Sequence, residues 1–183
     1  MCHLYTDAPA QTFMNTNELC SALATLFSEL VDGASQAGAY VLNRGDVGLL
    51  RSLDKLSAAA ASAKQDGSSV AAHVDHLRYG LSLMNRWAAG EKNPWTQADW
   101  TASWRKTSVT ESEWKQLRAS LGEEARRWAD AVSTPRDVDE IELNGILGSI
   151  AHVAYHLGAI RQMDRAARGP SAEDEVLTKR SAS

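Results

Sequence analysis

Residues 110–128 decide the fold class most directly, and their sequence is TESEWKQLRASLGEEARRW. Thr110 and Glu113 have the spacing of a capping box, in which two side chains bind free backbone N–H groups at the start of a helix. The apolar residues that follow recur every three or four positions and so share one helical face: Trp114, Leu117, Leu121, Ala125 and Trp128. The segment therefore predicts an amphipathic helix that packs against other helices.

The same helical period continues on both sides of this segment. We expect a first helix from near Asn17, a second segment capped by Asp46 that runs into an alanine-rich stretch, and a third helix over 69–89. A serine, Ser68 or Ser69, caps the third helix and Gly90 ends it. The last long helix is expected to run from Val138 to about Arg168, before Gly169.

Strand signals are weak throughout, so the sequence predicts an all-α fold. Four principal helices favour a four-helix bundle, with an extra short helical segment and a tryptophan-rich connector over 91–109. The predicted domain covers residues 15–168, after an irregular lead-in at 1–14 and before a disordered tail at 169–183. Because the connector is long for a bundle loop, we expect it to form a lid or to cross one end of the bundle.

The charge pattern excludes several classes of protein. The net charge is −4, and Lys and Arg are interspersed with Asp and Glu. Without a basic stripe, neither nucleic acid nor an anionic membrane surface is an expected partner. The sequence contains no apolar run of the roughly 20 residues that a spanning helix needs, and it does not begin like a secretory signal. With only Cys2 and Cys20 and no disulfide framework, we expect a soluble protein of the reducing cytoplasm.

Four of the five histidines form two clusters on predicted helices. His152 and His156 are four residues apart, and His73 and His76 are three apart, so each pair shares a helical face. If the two faces meet, three or four imidazoles converge. Imidazole binds zinc, nickel, copper and iron, and three protein ligands leave one position open for a water, a thiolate or a substrate oxygen.

A purely structural interpretation remains open at this point. A histidine on an apolar helical face is most often a hydrogen-bonded core residue, and a four-residue spacing also arises by chance. Gly145 and Gly148, on the histidine face, serve either close helix packing or room for a ligand. Trp100 and Trp104 lie off the main apolar stripes and could cover a pocket mouth or a dimer surface.

Other catalytic motifs are absent from the sequence. The segment His152-Val-Ala-Tyr-His156 lacks the glutamate of a His-Glu-x-x-His metalloprotease, and there is no Glu-x-x-His pair of a di-iron bundle. Asp75 is predicted to point away from the face of His73 and His76. The candidates for a substrate pocket beside the ligands are Ser149, Tyr155 and Gln162.

Two segments carry a resemblance to a known family. Residues 148–162, GSIAHVAYHLGAIRQ, resemble the last-helix signature of the DinB/YfiT-like family, and residues 70–77, VAAHVDHL, resemble the helix that supplies its third histidine. The resemblance implies a four-helix bundle in an up-up-down-down-like arrangement, with a three-histidine metal site open to solvent on one side. The implied ligands are His76, which directly precedes Leu77, together with His152 and His156. His73 is then a neighbour behind the ligands or a fourth ligand, and it is also the alternative to His76 as the third ligand.

The resemblance also implies a function. Characterised members include metal-dependent transferases and isomerases that use low-molecular-weight thiols, and some hydrolases. We therefore expect a metal-dependent S-transferase or hydrolase of a small molecule, with zinc as the first choice of metal and nickel or iron as alternatives. The segment at 45–65 and the tryptophan-rich connector depart from the family pattern, which leaves the substrate open. The alternative is a non-catalytic helical protein, as a single chain or a homodimer, whose histidines are structural or bind metal without turnover.

Overall fold

Helices dominate the structure, a computed structural model that describes residues 16–35 and 38–171. Within those residues the α-helices are α1 (Thr16–Asp32), α2 (Gly48–Asp54), α3 (Ala58–Ser62), α4 (Val70–Ala88), α5 (Glu111–Ser133) and α6 (Glu140–Met163). Two 3-10 turns cover Ala102–Trp104 and Arg165–Ala167, and a short hairpin pairs β1 (Lys64–Gln65) with β2 (Ser68–Ser69). The prediction of a mostly helical chain is confirmed.

The predicted helix ends are confirmed where a side chain or a glycine determines them. The hydroxyl of Ser69 accepts a hydrogen bond from the backbone N–H of Ala72 at the start of α4. At the start of α5, Thr110 and Glu113 form both bonds of the capping box. Gly90, with φ +96°, follows the end of α4. Because Ser69 sets the first residue of α4, it also sets the positions of His73 and His76 along that helix.

One apolar core lies between the four long helices. Helices α1 and α4 each contact both α5 and α6. Trp114 and Trp128 of α5 are almost completely buried, and each indole N–H is satisfied: Trp114 donates to the carbonyl of Leu56, and Trp128 to the hydroxyl of Ser149, both at 2.8 Å. Burying two of the largest side chains with no polar atom unpaired fixes α5 against its neighbours.

Two predicted helices have different bounds in the structure. The segment after Asp46 is interrupted at 55–57, where Ser57 caps the separate helix α3. Asp46 itself lies one residue before the N-cap, and its carboxylate accepts the N–H of Gly48. The last helix stops at Met163 rather than near Arg168, because Asp164 is extended and its side chain caps the following 3-10 turn.

The hairpin was not predicted. Asp66 and Gly67 both have positive φ, the conformation that a two-residue hairpin turn requires and that Asp-Gly favours. The strands are only two residues long, too short for an alternating pattern to appear in the sequence. The hairpin leads directly into the cap of α4.

The chain ends lie mostly outside the described residues. The predicted lead-in at 1–14 and residues 172–183 of the predicted tail fall there. Gly169 and Pro170 are described, and the side-chain amide of Asn43 donates to the carbonyl of Pro170 at 2.8 Å. Among the described helices, none has the length and apolar character needed to cross a lipid bilayer.

Candidate metal centre

Three imidazole rings from two helices converge at one point. His76 lies on α4, and His152 and His156 lie one turn apart on α6, which packs against α4. The Nε2 atom of His152 is 3.1 Å from Nε2 of His76 and 2.9 Å from Nε2 of His156. One nitrogen from each ring lies within 4.8 Å of the other two. The three residues that the family resemblance implied as ligands are therefore brought together.

The cluster is largely shielded from water. His76 is 8% exposed and His156 is 1% exposed, whereas His152 is half-buried. His152 is thus the ring through which solvent or a small molecule reaches the three nitrogens.

Ser103, in the connector, determines the tautomer of His76. Its hydroxyl lies 2.6 Å from the carbonyl oxygen of Trp100, which can only accept, so Ser103 must donate there. The same hydroxyl lies 2.8 Å from Nδ1 of His76 and must therefore accept from it. His76 carries its proton on Nδ1, and its Nε2 presents a lone pair to the cluster.

His73 lies behind His156 rather than among the three convergent nitrogens. Nδ1 of His73 is 2.8 Å from Nδ1 of His156, on the opposite side of the His156 ring from Nε2. Hydrogen bonds to the remote nitrogen orient metal-binding imidazoles in proteins. Of the roles left open for His73, the geometry fits that of a neighbour behind the proposed ligands, and His76 rather than His73 belongs to the convergent group.

The three neutral rings have too few protons to give each of their contacts a hydrogen bond of its own. Two short N···N contacts meet at Nε2 of His152, and Nε2 of His76 has no proton. A single proton, on Nε2 of His152 or of His156, is all that the two contacts can share without two N–H groups facing each other. One proton therefore has to serve both contacts: on Nε2 of His152 it is shared between two acceptors, and on Nε2 of His156 it leaves the lone pairs of His152 and His76 facing each other across 3.1 Å.

The spacing of the nitrogens fits a divalent transition metal. Tetrahedral zinc with Zn–N bonds of about 2.0–2.1 Å separates its nitrogen ligands by about 3.3 Å. The two measured separations are a few tenths of an ångström shorter. Small rotations of the rings would accommodate the ion.

The electrostatic environment keeps the histidines uncharged at neutral pH. Burial, and then the neighbouring His152 and His73, lower the pKa of His76 to about 4. Burial, followed by the other three histidines, lowers the pKa of His156 to about 3. Burial also lowers the pKa of His73 and of His152. Neutral imidazole is the form that binds a metal, so protons do not compete strongly at pH 7.

Two tryptophans of the connector cover the histidines. Trp104 stacks on His76 with ring centres 4.3 Å apart and meets the edge of His73 at 5.0 Å. Trp100 packs beside His76 at 5.6 Å and remains 39% exposed. Of the two roles considered for these residues, they cover the histidine site, and the connector lies over it.

The two glycines on the histidine face have different roles. A Cβ atom on Gly145 would lie 2.7 Å from the Trp87 ring, so Gly145 allows α6 to approach α4. A Cβ atom on Gly148 would meet nothing within 4 Å. Close helix packing therefore explains Gly145 but not Gly148.

The three candidates for a substrate pocket lie in different places. Ser149 is buried, and its hydroxyl accepts from Trp128 and donates to the carbonyl of Ile146. Tyr155 is 69% exposed, and its ring meets the edge of His156 at 5.0 Å. Gln162 is exposed and lies six residues beyond His156, about 9 Å along the helix axis. Of the three, only Tyr155 is both exposed and in contact with a ring of the cluster.

One important residue was missed in the sequence. Ser103 lies in an irregular connector, where no periodicity or spacing distinguishes it from the neighbouring polar residues. Asp75, in contrast, behaves as predicted: its carboxylate pairs with Arg78 at 2.8 Å and does not join the cluster.

Comparison of the chain with protein-family models, with curated proteins and with solved structures finds no match.

Proposed function

We propose that this chain binds one divalent metal ion through His76, His152 and His156 and is a metal-dependent enzyme acting on a small molecule. The observation that carries the proposal is the convergence of three Nε2 atoms with too few protons to satisfy their contacts. A cation among the three nitrogens would bind the lone pairs that one shared proton satisfies only in part.

The residues around the cluster have separate tasks in this proposal. Ser103 holds the Nδ1–H tautomer of His76, and His73 orients His156. Trp100 and Trp104 limit the access of water, which strengthens electrostatic interactions at the site. A divalent metal held by three imidazoles supplies Lewis acidity, which favours the deprotonated form of a thiol or water in the remaining position.

The reaction class that we propose is thiol-dependent S-transfer or hydrolysis. It comes from the resemblance of residues 70–77 and 148–162 to the DinB/YfiT-like family. The packing of α1 and α4 against both α5 and α6 supports a four-helix bundle of that type. Zinc is the first candidate metal, and nickel and iron are the alternatives.

Metal affinity of single variants tests the ligand set. We expect His76→Ala, His152→Ala and His156→Ala each to weaken zinc binding at least 100-fold, measured by competition with a chromogenic chelator at pH 7. His3→Ala removes a histidine outside the described residues and serves as the matched control, with unchanged affinity. If His152→Ala bound zinc with the affinity of the wild type, His152 would not be a ligand and the proposed site would be wrong.

Catalysis is tested separately from binding. Wild type loaded with each candidate metal would be assayed with a panel of electrophiles and low-molecular-weight thiols, and with activated esters and amides. Turnover that requires the metal and is absent in His152→Ala supports the enzyme. Tight metal binding without turnover on any of these classes would favour the non-catalytic alternative.

A non-catalytic helical protein is the second candidate, and one observation favours it. Asp75, the carboxylate closest in sequence to the ligands of α4, is paired with Arg78, so it is not free to act as a general base. Under this alternative the histidines stabilise the helices with or without metal. His76→Ala distinguishes the two: loss of metal binding with unchanged stability of the metal-free protein supports a metal site, and loss of stability in both states supports a packing role.

A further inference from the structure

The exposed face of α6 is unusual for the surface of this protein. Of the six large hydrophobic residues that are exposed in the described part of the chain, three lie on α6: Ile141 at 74%, Leu147 at 45% and Tyr155 at 69%. Together with exposed small and uncharged residues they form one continuous stripe, the α6 face: Ile141, Asn144, Leu147, Gly148, Ala151, Tyr155 and Gly158. A contiguous exposed apolar surface commonly marks a contact with another molecule.

Packing among the described residues explains neither glycine of this face. Each glycine inside a helix costs about 1 kcal/mol relative to alanine. A Cβ atom on Gly148 or on Gly158 would meet nothing within 4 Å, so neither glycine is required by packing among the described residues. Close approach by a second helix from outside would explain both.

The middle of α6 has no charged side chain, and its two ends carry charges of opposite sign. Residues 143–160 contain no Asp, Glu, Lys or Arg. Asp137 and Glu140 lie exposed at the beginning of the helix, and Arg165 lies exposed just beyond its end. No ion pair found within residues 16–35 and 38–171 includes any of these three. An antiparallel copy of the same helix would bring the acidic end of each α6 towards the basic end of the other.

The side chains along the face are also complementary to a reversed copy. Take a two-fold axis that passes between Ser149 and Ile150. Ile141 then faces Gly158 of the second copy, and Gly148 faces Ala151. Tyr155 faces Asn144, whose amide is a hydrogen-bonding partner for the phenol. In the pairs Ile141–Gly158 and Tyr155–Asn144, a larger side chain lies opposite a smaller one, which allows the two helices to pack closely.

We propose that this chain forms a homodimer in which the α6 faces of two copies pack antiparallel. The occupant of the face is a second copy of the same chain, because the charge at the two ends and the side-chain sizes match this helix reversed. The observations behind the proposal are separate from metal binding, since none of the seven residues of the α6 face is among the proposed ligands. The same register places Leu147 of the second copy opposite His152, so the interface would border the proposed metal site.

The oligomeric mass of the full chain tests the dimer. The expected result for wild type by light scattering is about twice 19.9 kDa. Ala151→Arg, at the centre of the face, is expected to shift the mass to that of a monomer with unchanged helical content. Ala119→Arg, at an exposed position of α5, is the matched control and stays dimeric. A monomeric wild type, or a dimeric Ala151→Arg, would overturn the proposal.

Cysteine cross-linking tests the antiparallel register. In a Cys2→Ser background, the double variant Ile141→Cys/Gly158→Cys is expected to form disulfide-linked dimers under mild oxidation. Ile141→Cys alone is expected to form none, because the two copies of position 141 would be about 26 Å apart along the helices. Cys20 is 1% exposed and should not interfere. Cross-linking by Ile141→Cys alone would show a parallel arrangement and contradict the register.

Discussion

At the scale of single residues, the position of one hydroxyl group determines how His76 can act. Ser103 accepts from Nδ1 of His76 only because it donates to the carbonyl of Trp100. The 3-10 turn at Ala102–Trp104 places that hydroxyl against α4 and also brings Trp104 onto the His76 ring. A single turn of the connector thus orients the ring of His76, a proposed metal ligand, and covers it.

Removal of this hydroxyl should weaken metal binding without unfolding the protein. We predict that Ser103→Ala lowers zinc affinity about 10- to 100-fold, the usual effect of losing a hydrogen bond to a metal-bound histidine. Ser108→Ala changes an exposed serine of the same connector and should leave the affinity unchanged. Equal affinities for the two variants would mean that Ser103 does not orient His76.

The lowered pKa values of the histidines predict a pH dependence of stability. His76 and His156 titrate near 4 and 3 in the folded protein and near 6.5 when unfolded. Between those values the unfolded chain binds more protons, so the stabilising effect is fully present above pH 6.5 and is lost as the pH falls towards 4. Each residue contributes about 1.4 kcal/mol per pH unit within that window.

Urea unfolding of the metal-free protein at pH 7, 6 and 5 measures this effect. The free energy of unfolding should fall with pH in wild type, and it should fall less steeply in His156→Gln, which lacks one of the two groups. The other titrating groups are common to both proteins, so the difference between the slopes isolates His156. Identical slopes would show that His156 is not held neutral by its surroundings.

At the scale of helices, the approach of α6 to α4 determines whether the three proposed ligands meet. Gly145 faces Trp87, and a methyl group there would lie 2.7 Å from the ring. We predict that Gly145→Ala destabilises the protein by about 1–3 kcal/mol, because the helices must separate or the tryptophan must move. It should also weaken metal binding, since His76 and His152 come from those two helices.

Thermal or urea unfolding measures that cost, with Gly122→Ala as the control. Gly122 is also inside a helix, but the atoms nearest its added Cβ belong to the end of the flexible Arg126 side chain, at 3.4 Å. Alanine at that position should be neutral or slightly stabilising. A Gly145→Ala protein as stable as Gly122→Ala would show that α6 does not depend on the close approach.

The helices also show how far the sequence could predict the fold. The starts of α4 and α5 were predicted because a local side-chain pattern sets them: Ser69 in one case, Thr110 with Glu113 in the other. The end of α6 at Met163 was not, because Asp164 is not a strong helix breaker and the chain there continues with helix-compatible residues. Asp46 was placed near the right helix, but its ion pair with Arg161, 115 residues away, depends on tertiary packing.

At the scale of the whole molecule, the sequence predicted which histidines cluster but not how they are held. The spacing within each pair is a property of one helix, and the family resemblance selected His76, His152 and His156 among the alternatives. The role of His73 behind His156, and the lone pair of His76 that Ser103 exposes, depend on ring orientations set by three separate segments. No local pattern encodes such orientations.

The metal content of the purified, untagged protein tests the central claim most directly. Elemental analysis of wild type is predicted to give close to one equivalent of zinc, nickel or iron per chain, and His152→Ala prepared in parallel should contain almost none. A wild-type protein that is metal-free and also takes up none of these ions at pH 7 would contradict the claim. The four histidines would then be a hydrogen-bonded part of the helix packing.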